Sequence, residues 1–147
     1  MPRRPAPRRG PSAALLILAA VLSAACSARR EAPTASDGLL DLRSWDFRDG
    51  HVALTGTWEF FPALLLAPDR EAPTGSSIVR RVPDLWSGGI AGGPGGRGAG
   101  TYRLRILLPP EHGELAVSYT TVSTAFELYA GNRRIGGAGA PATDPAA

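Results

Sequence analysis

The feature that most limits what this chain can become is its alternation of apolar and polar residues over short runs, each closed by turn-forming residues. In Thr57-Trp58-Glu59-Phe60-Phe61, Trp58 and Phe60 share one face of an extended strand, and Glu59 and Phe61 share the other. Tyr102, Leu104, Ile106 and Leu108 recur at every second position with Arg103 and Arg105 between them, the pattern of a half-buried strand. Leu115, Val117 and Tyr119 form a further inward set, and Phe126, Leu128 and Ala130 another. Gly131-Asn132 supplies a two-residue turn with glycine at its first central position. Upstream, Leu39–Leu42 and Trp45–Phe47 alternate more briefly, Asp49-Gly50 is a hairpin signal, and Ile78–Val82 is a strand stopped by Pro83. Past the N-terminal segment, Pro62–Pro68 is the one stretch with helical character, at most one or two turns between its prolines. Short strands at this spacing with almost no helix predict an all-β antiparallel sandwich.

The first 26 residues stand outside that pattern. Arg3, Arg4, Arg8 and Arg9 precede an uncharged run, Ala13–Ala25, which is shorter than the about 20 residues a membrane span requires. Its length and flanks are those of a signal peptide, so the chain is expected to be exported. The run closes Leu22-Ser23-Ala24-Ala25-Cys26, and Cys26 is the chain's single cysteine. A lone cysteine has no internal disulfide partner, and its place directly after small residues resembles a bacterial lipobox. Cys26 is therefore the expected lipid-attachment site, holding a periplasmic or cell-surface protein at the membrane.

Charge matters here only for what it excludes. The formal net charge of +3 includes the four arginines of the signal segment, and without them twelve basic residues face thirteen acidic ones. The remaining arginines form no stripe, so nucleic acid is not an expected partner. Ser27–Asp37, rich in Ala, Arg, Pro, Thr and Ser, reads as a flexible tether. The expected organisation is signal peptide and lipobox over 1–26, tether over 27–37, one folded domain over 38–137, and a disordered Gly/Ala/Pro tail over 138–147.

The order of features from Leu54 to Gly136 carries a resemblance. Leu-Thr-Gly-Thr-Trp-Glu-Phe-Phe (54–61) is followed by Val-Pro-Asp-Leu-Trp (82–86) and then by a glycine-rich loop. Tyr-Arg-Leu-Arg-Ile-Leu-Leu-Pro (102–109) comes next, and Ser-Thr-Ala-Phe-Glu-Leu-Tyr-Ala-Gly-Asn-Arg-Arg-Ile-Gly (123–136) closes the series. This layout resembles the extracellular jelly-roll sensory modules of bacterial seven-transmembrane receptors with diverse intracellular signalling outputs. It is more distantly similar to the sugar-binding sandwich of family 2 glycoside hydrolases. The resemblance implies a galactose-binding-like jelly roll, truncated at its C-terminus, that senses a small ligand such as a carbohydrate outside the membrane. Membrane helices and output domains, which the family carries further along, are not in this sequence. Two other readings stay open: a free-standing surface lipoprotein binding glycan or a partner protein, and the accessory sandwich of a truncated glycoside hydrolase.

Candidate site residues follow from chemistry more than from motifs. Trp86 follows the Pro83 stop and opens into the Ser87–Gly100 loop, so it is the first choice for a ligand platform, with Trp45 second. Trp58 alternates in phase with Phe60 and is expected in the core. Arg103 and Arg105 project from the face opposite the apolar set and are candidates for gripping an anionic group. His51 and His112 have no partner at metal-ligand spacing, and no metal or cofactor is expected. The glycine-rich loop lacks the Gly-Lys-Ser/Thr ending of a phosphate loop, and no Gly-x-Ser-x-Gly elbow occurs. No catalytic constellation is present, so the chain is not expected to be an enzyme.

Overall fold

The computed structural model describes residues 31–86, 98–120 and 122–143, all but Glu31 belonging to the compact unit Ala32–Ala147. The signal segment with Cys26, the first part of the tether, most of the Ser87–Gly100 loop and the last four residues lie outside the described residues. Among those described there are seven strands: β1 (Leu39–Asp41), β2 (Gly56–Pro62), β3 (Ile78–Val82), β4 (Gly100–Arg103), β5 (Arg105–Leu107), β6 (Phe126–Ala130) and β7 (Arg133–Ala138). The one helical element is a 3₁₀ turn, Phe47–Asp49. The described part of the chain is thus mostly strands with almost no helix, and its larger sheet is antiparallel.

β2 is the centre of that sheet, flanked by β3 and β4 in the order β3-β2-β4. Its aromatic and β-branched residues suit a strand packed on both faces. Phe60 is fully buried and Phe61 is 3% exposed, so the alternation places one aromatic ring on each side. β6 and β7 form a separate antiparallel hairpin around the Gly131-Asn132 turn, with Gly131 in the left-handed region at φ 54°.

The pairing of β1 with β5 is parallel, a departure from the fully antiparallel expectation. It arises because the chain between β4 and β5 changes sheets at Leu104. Tyr102 belongs to the Phe60 cluster, whereas Leu104 and Ile106 pack against Leu40, Leu42, Trp45 and Ala35. Of the period-2 set read from the sequence, Tyr102, Leu104 and Ile106 are therefore inward-facing but serve two apolar clusters, whereas Leu108 lies beyond β5 and is exposed.

Order also begins earlier than the tether boundary implies. Ala35 is 6% exposed and joins the core. Its N–H donates to the Thr55 carbonyl at 2.8 Å, and its carbonyl accepts from the Thr57 N–H at 2.9 Å. Gly38 N–H then donates to the Thr57 carbonyl while the Gly38 carbonyl accepts from Arg105 N–H. This segment laces the start of β2 to β5. Gly56 permits the approach: its φ is 121°, and a Cβ there would stand 2.1 Å from the Ala35 oxygen. At the other end, β7 includes Ala138, one residue into the expected tail.

Three local expectations are corrected. Pro62–Pro68 is not helical, because Ala63 turns to φ 57° and the Thr101 hydroxyl donates to the Leu64 carbonyl while accepting from Leu66 N–H. Asp49-Gly50 does not make a hairpin: Asp46 caps a 3₁₀ turn, and Gly50 at φ 131° ends it. Leu115, Val117 and Tyr119 form no strand and are exposed, since no neighbouring strand takes up their hydrogen bonds.

Candidate functional site

The β2 register decides which side chains can meet. Trp58 is opposite Arg80, and Phe60 is opposite both Ile78 and Tyr102. Directly opposed residues share a face, so Trp58, Phe60, Arg80 and Tyr102 project to the same side of the sheet. The Val82–Trp86 segment then folds back onto it. Trp86 meets Phe60 edge-to-face, with centroids 5.9 Å apart and planes at 67°. It lies tilted at 36° to Tyr102, 6.4 Å away, and its Nε1–H donates to the Tyr102 hydroxyl at 3.1 Å. Tyr102 in turn packs on Phe60 at 4.5 Å and meets Trp58 edge-on at 6.4 Å. Four aromatic rings therefore form one continuous cluster.

A charged pair borders this cluster. Arg80 Nη2–H donates to the Asp84 carboxylate across one turn, tying β3 to the segment that carries Trp86. Both side chains are about a third exposed, at 27% and 32%. Asp84 also accepts from the Leu85 N–H at 2.8 Å, and the Leu85 side chain beside it is exposed. Two donors here have no acceptor: Trp58 Nε1–H and Arg80 Nε–H are both buried and unpaired. Aromatic rings joined to a few fixed polar groups are the usual composition of a small-molecule site.

The four residues expected to bind ligand do not converge. Trp86 lies in the aromatic cluster, half-buried, where its packing on Phe60 also makes it structural. Trp45 is corrected to the core: it is 6% exposed among Leu40, Leu42 and Ala35, and its Nε1–H donates to the Gly50 carbonyl at 3.3 Å. A ring so enclosed offers little surface for stacking, although it borders an open cleft beside the Glu111-His112 turn. Arg103 turns to the opposite face of the sheet, where its guanidinium covers the Phe61 ring at 5.0 Å and Nη2 reaches the Arg70 carbonyl at 3.4 Å. Arg105 is exposed and alternates with the inward Leu104 and Ile106, away from the aromatic cluster.

Sequence reasoning passed over Arg80 and Asp84, and it read Tyr102 only as apolar filler. One signal was available. Arg80 stands in phase with Ile78 and Val82, an arginine where a strand's inward set calls for an apolar residue, with an aspartate four residues on.

An open cleft of about 680 Å³ lies elsewhere, between Arg43–Arg48 and the Glu111-His112 turn. Its arginines are already engaged: Arg43 grips Asp41 through Nε and Nη2, and Arg48 grips Asp46 in the same bidentate way. These contacts pull both carboxyls from 3.8 down to about 2. Among the described residues, no group of three or more His, Cys, Asp or Glu is placed to hold a metal ion. No helix among them is long and apolar enough to cross a membrane. Comparison with protein-family models, curated proteins and solved structures returns no match to this chain.

Proposed function

We propose that this chain is the extracytoplasmic ligand-sensing part of a bacterial membrane signalling receptor, a jelly-roll sandwich held at the membrane through Cys26. The observation that carries the ligand-binding reading is the Trp58-Phe60-Tyr102-Trp86 cluster with Arg80 and Asp84 at its margin. Aromatic rings offer a flat apolar surface to the C–H face of a sugar or similar ring, and adjacent polar groups fix its orientation. Trp86 is the platform in this reading, because it is half-buried and adjoins the glycine-rich connection to β4. The resemblance in feature order supports the sensory role and the export signal supports its location. In such receptors the output belongs to other domains, and the role proposed for this domain is recognition.

A thermal-shift panel of neutral sugars, uronic acids and organic phosphates tests the reading. At least one class should raise the melting temperature, and Trp86→Ala should remove that rise. If no class raises it, the aromatic face is packing and the sensory reading fails. The anchor is tested separately: Cys26→Ser should abolish palmitate incorporation and free the protein from membranes, whereas unchanged labelling would discard the lipobox.

A further inference from the structure

We propose that Trp58 Nε1–H and Arg80 Nε–H are the two donors that receive the ligand, and that the ligand is electrically neutral and hydroxyl-bearing. The inference rests on the aromatic face being the binding site and adds the chemistry that selects what enters. Buried polar groups in folded proteins are nearly always hydrogen-bonded, and one without a partner carries the whole cost of its desolvation. Here two such donors occur, and they belong to residues directly opposed across β2 and β3. Opposed side chains on one face stand about 5 Å apart at Cβ, which suits two donors acting on a single oxygen or on neighbouring oxygens of one molecule. Among the described residues the side-chain hydrogen bond of Arg80 goes to Asp84 through Nη2, so Nε–H takes no part in that bond and remains to be satisfied.

Charge then decides between ligand classes. Arg80 would attract an anion if it stood alone, but Asp84 already neutralises it. A carboxylate or phosphate entering there would meet the Asp84 carboxylate as well as the guanidinium. It would gain little net attraction while losing its own hydration. A hydroxyl or ring oxygen loses far less, and it accepts from both donors. The neighbouring Tyr102 and Trp86 rings supply the apolar surface that a carbohydrate ring presents on its C–H face.

The probes are methyl β-D-galactopyranoside and methyl α-D-glucopyranoside, set against sodium glucuronate. Two-dimensional ¹⁵N–¹H spectra of the full chain resolve each indole Nε1–H and the Arg80 Nε–H without any mutation. At saturation with a neutral glycoside, the Trp58 and Arg80 signals should move to lower field while that of Trp45 stays in place. Arg80→Lys keeps a cation for Asp84 but deletes the Nε–H, and it should weaken glycoside binding about tenfold. Trp58→Phe should act in the same direction. If a glycoside shifts Trp86 but leaves Trp58 and Arg80 unmoved, the donor pair serves only an ordered water and the inference is overturned. Tighter binding of glucuronate than of both glycosides overturns it as well. If none of the probes moves any signal of the aromatic cluster, the site reading itself fails, and the donor assignment with it.

Discussion

At the scale of single residues, Trp58 is placed to matter most for stability. It packs against the Leu40–Trp45 cluster and meets Tyr102 edge-on, so its ring joins the two apolar groups of the core. Trp58→Ala should cost about 3–5 kcal/mol in a urea titration, since its ring, though only partly buried, bridges both apolar groups and its removal leaves a cavity between them. Trp86→Ala should cost about 2 kcal/mol, less because this ring packs only on the Phe60 group but not negligible because that contact is close. Equal losses for the two would mean that Trp86 is wholly core. Gly56→Ala belongs with them: its backbone conformation alone should cost about 1–3 kcal/mol, and the Ala35 oxygen blocks the added carbon. A different residue-scale effect concerns acid. Asp41 is lowered to about 2 chiefly by the Arg43 side-chain hydrogen bond, and Asp46 likewise by Arg48. A carboxyl lowered on folding stabilises the protein fully above its unfolded value of 3.8, and the contribution disappears as pH falls towards 2. Arg43→Gln should return the Asp41 carboxyl carbon titration towards 3.8 and leave Asp46 near 2. Movement of both would show that the two pairs are coupled through Trp45, which lies between them.

At the scale of elements, the strands differ sharply in how they are supported. β2 is bonded on both edges and buried on both faces at its C-terminal end, whereas β6 and β7 pair only with each other among the described strands. Local opening follows such differences. Amides of β2 should therefore exchange with deuterium last and those of β6 and β7 early, and comparable protection in the hairpin would reveal support from elsewhere. The same contrast explains what the sequence made legible. Trp58 and Phe60 were readable as one face because a strand's alternation is local, and the Gly131-Asn132 turn was readable because its geometry needs glycine. Pro62–Pro68 was not, because the Thr101 hydroxyl that shapes it comes from a strand far along the chain. Leu115, Val117 and Tyr119 show the converse: a correct period-2 pattern becomes a strand only when an edge is there to receive it. The candidate site was half legible. Trp86 was identifiable from its position, but its partners Phe60 and Tyr102 are brought together, with Arg80 opposite Trp58, only through the β2 register, which no local pattern encodes.

At the scale of the whole molecule, the described surface carries large exposed apolar side chains that favour association. Ile78, Val79 and Leu85 are exposed around β3, and Leu115, Val117, Tyr119, Val122 and Ile135 around the hairpin. β3 is also an outer strand, so unpaired backbone groups lie beside exposed apolar side chains, the combination that promotes edge-to-edge association. The protein should therefore bind a hydrophobic dye and sediment as concentration-dependent oligomers. Val79 offers the sharpest control, because it is 52% exposed and stands opposite Glu59 across β2 and β3. A lysine there would gain a cross-strand partner worth about 0.2–1 kcal/mol while placing a charge on the open edge. Val79→Lys should accordingly shift sedimentation towards monomer with the melting temperature unchanged or raised. Persistent association in Val79→Lys that Val117→Lys relieves would place the adhesive surface on the 115–119 segment instead. If the unmodified protein is monomeric and binds no dye, these apolar groups are covered, and the account of β3 as an open edge is wrong.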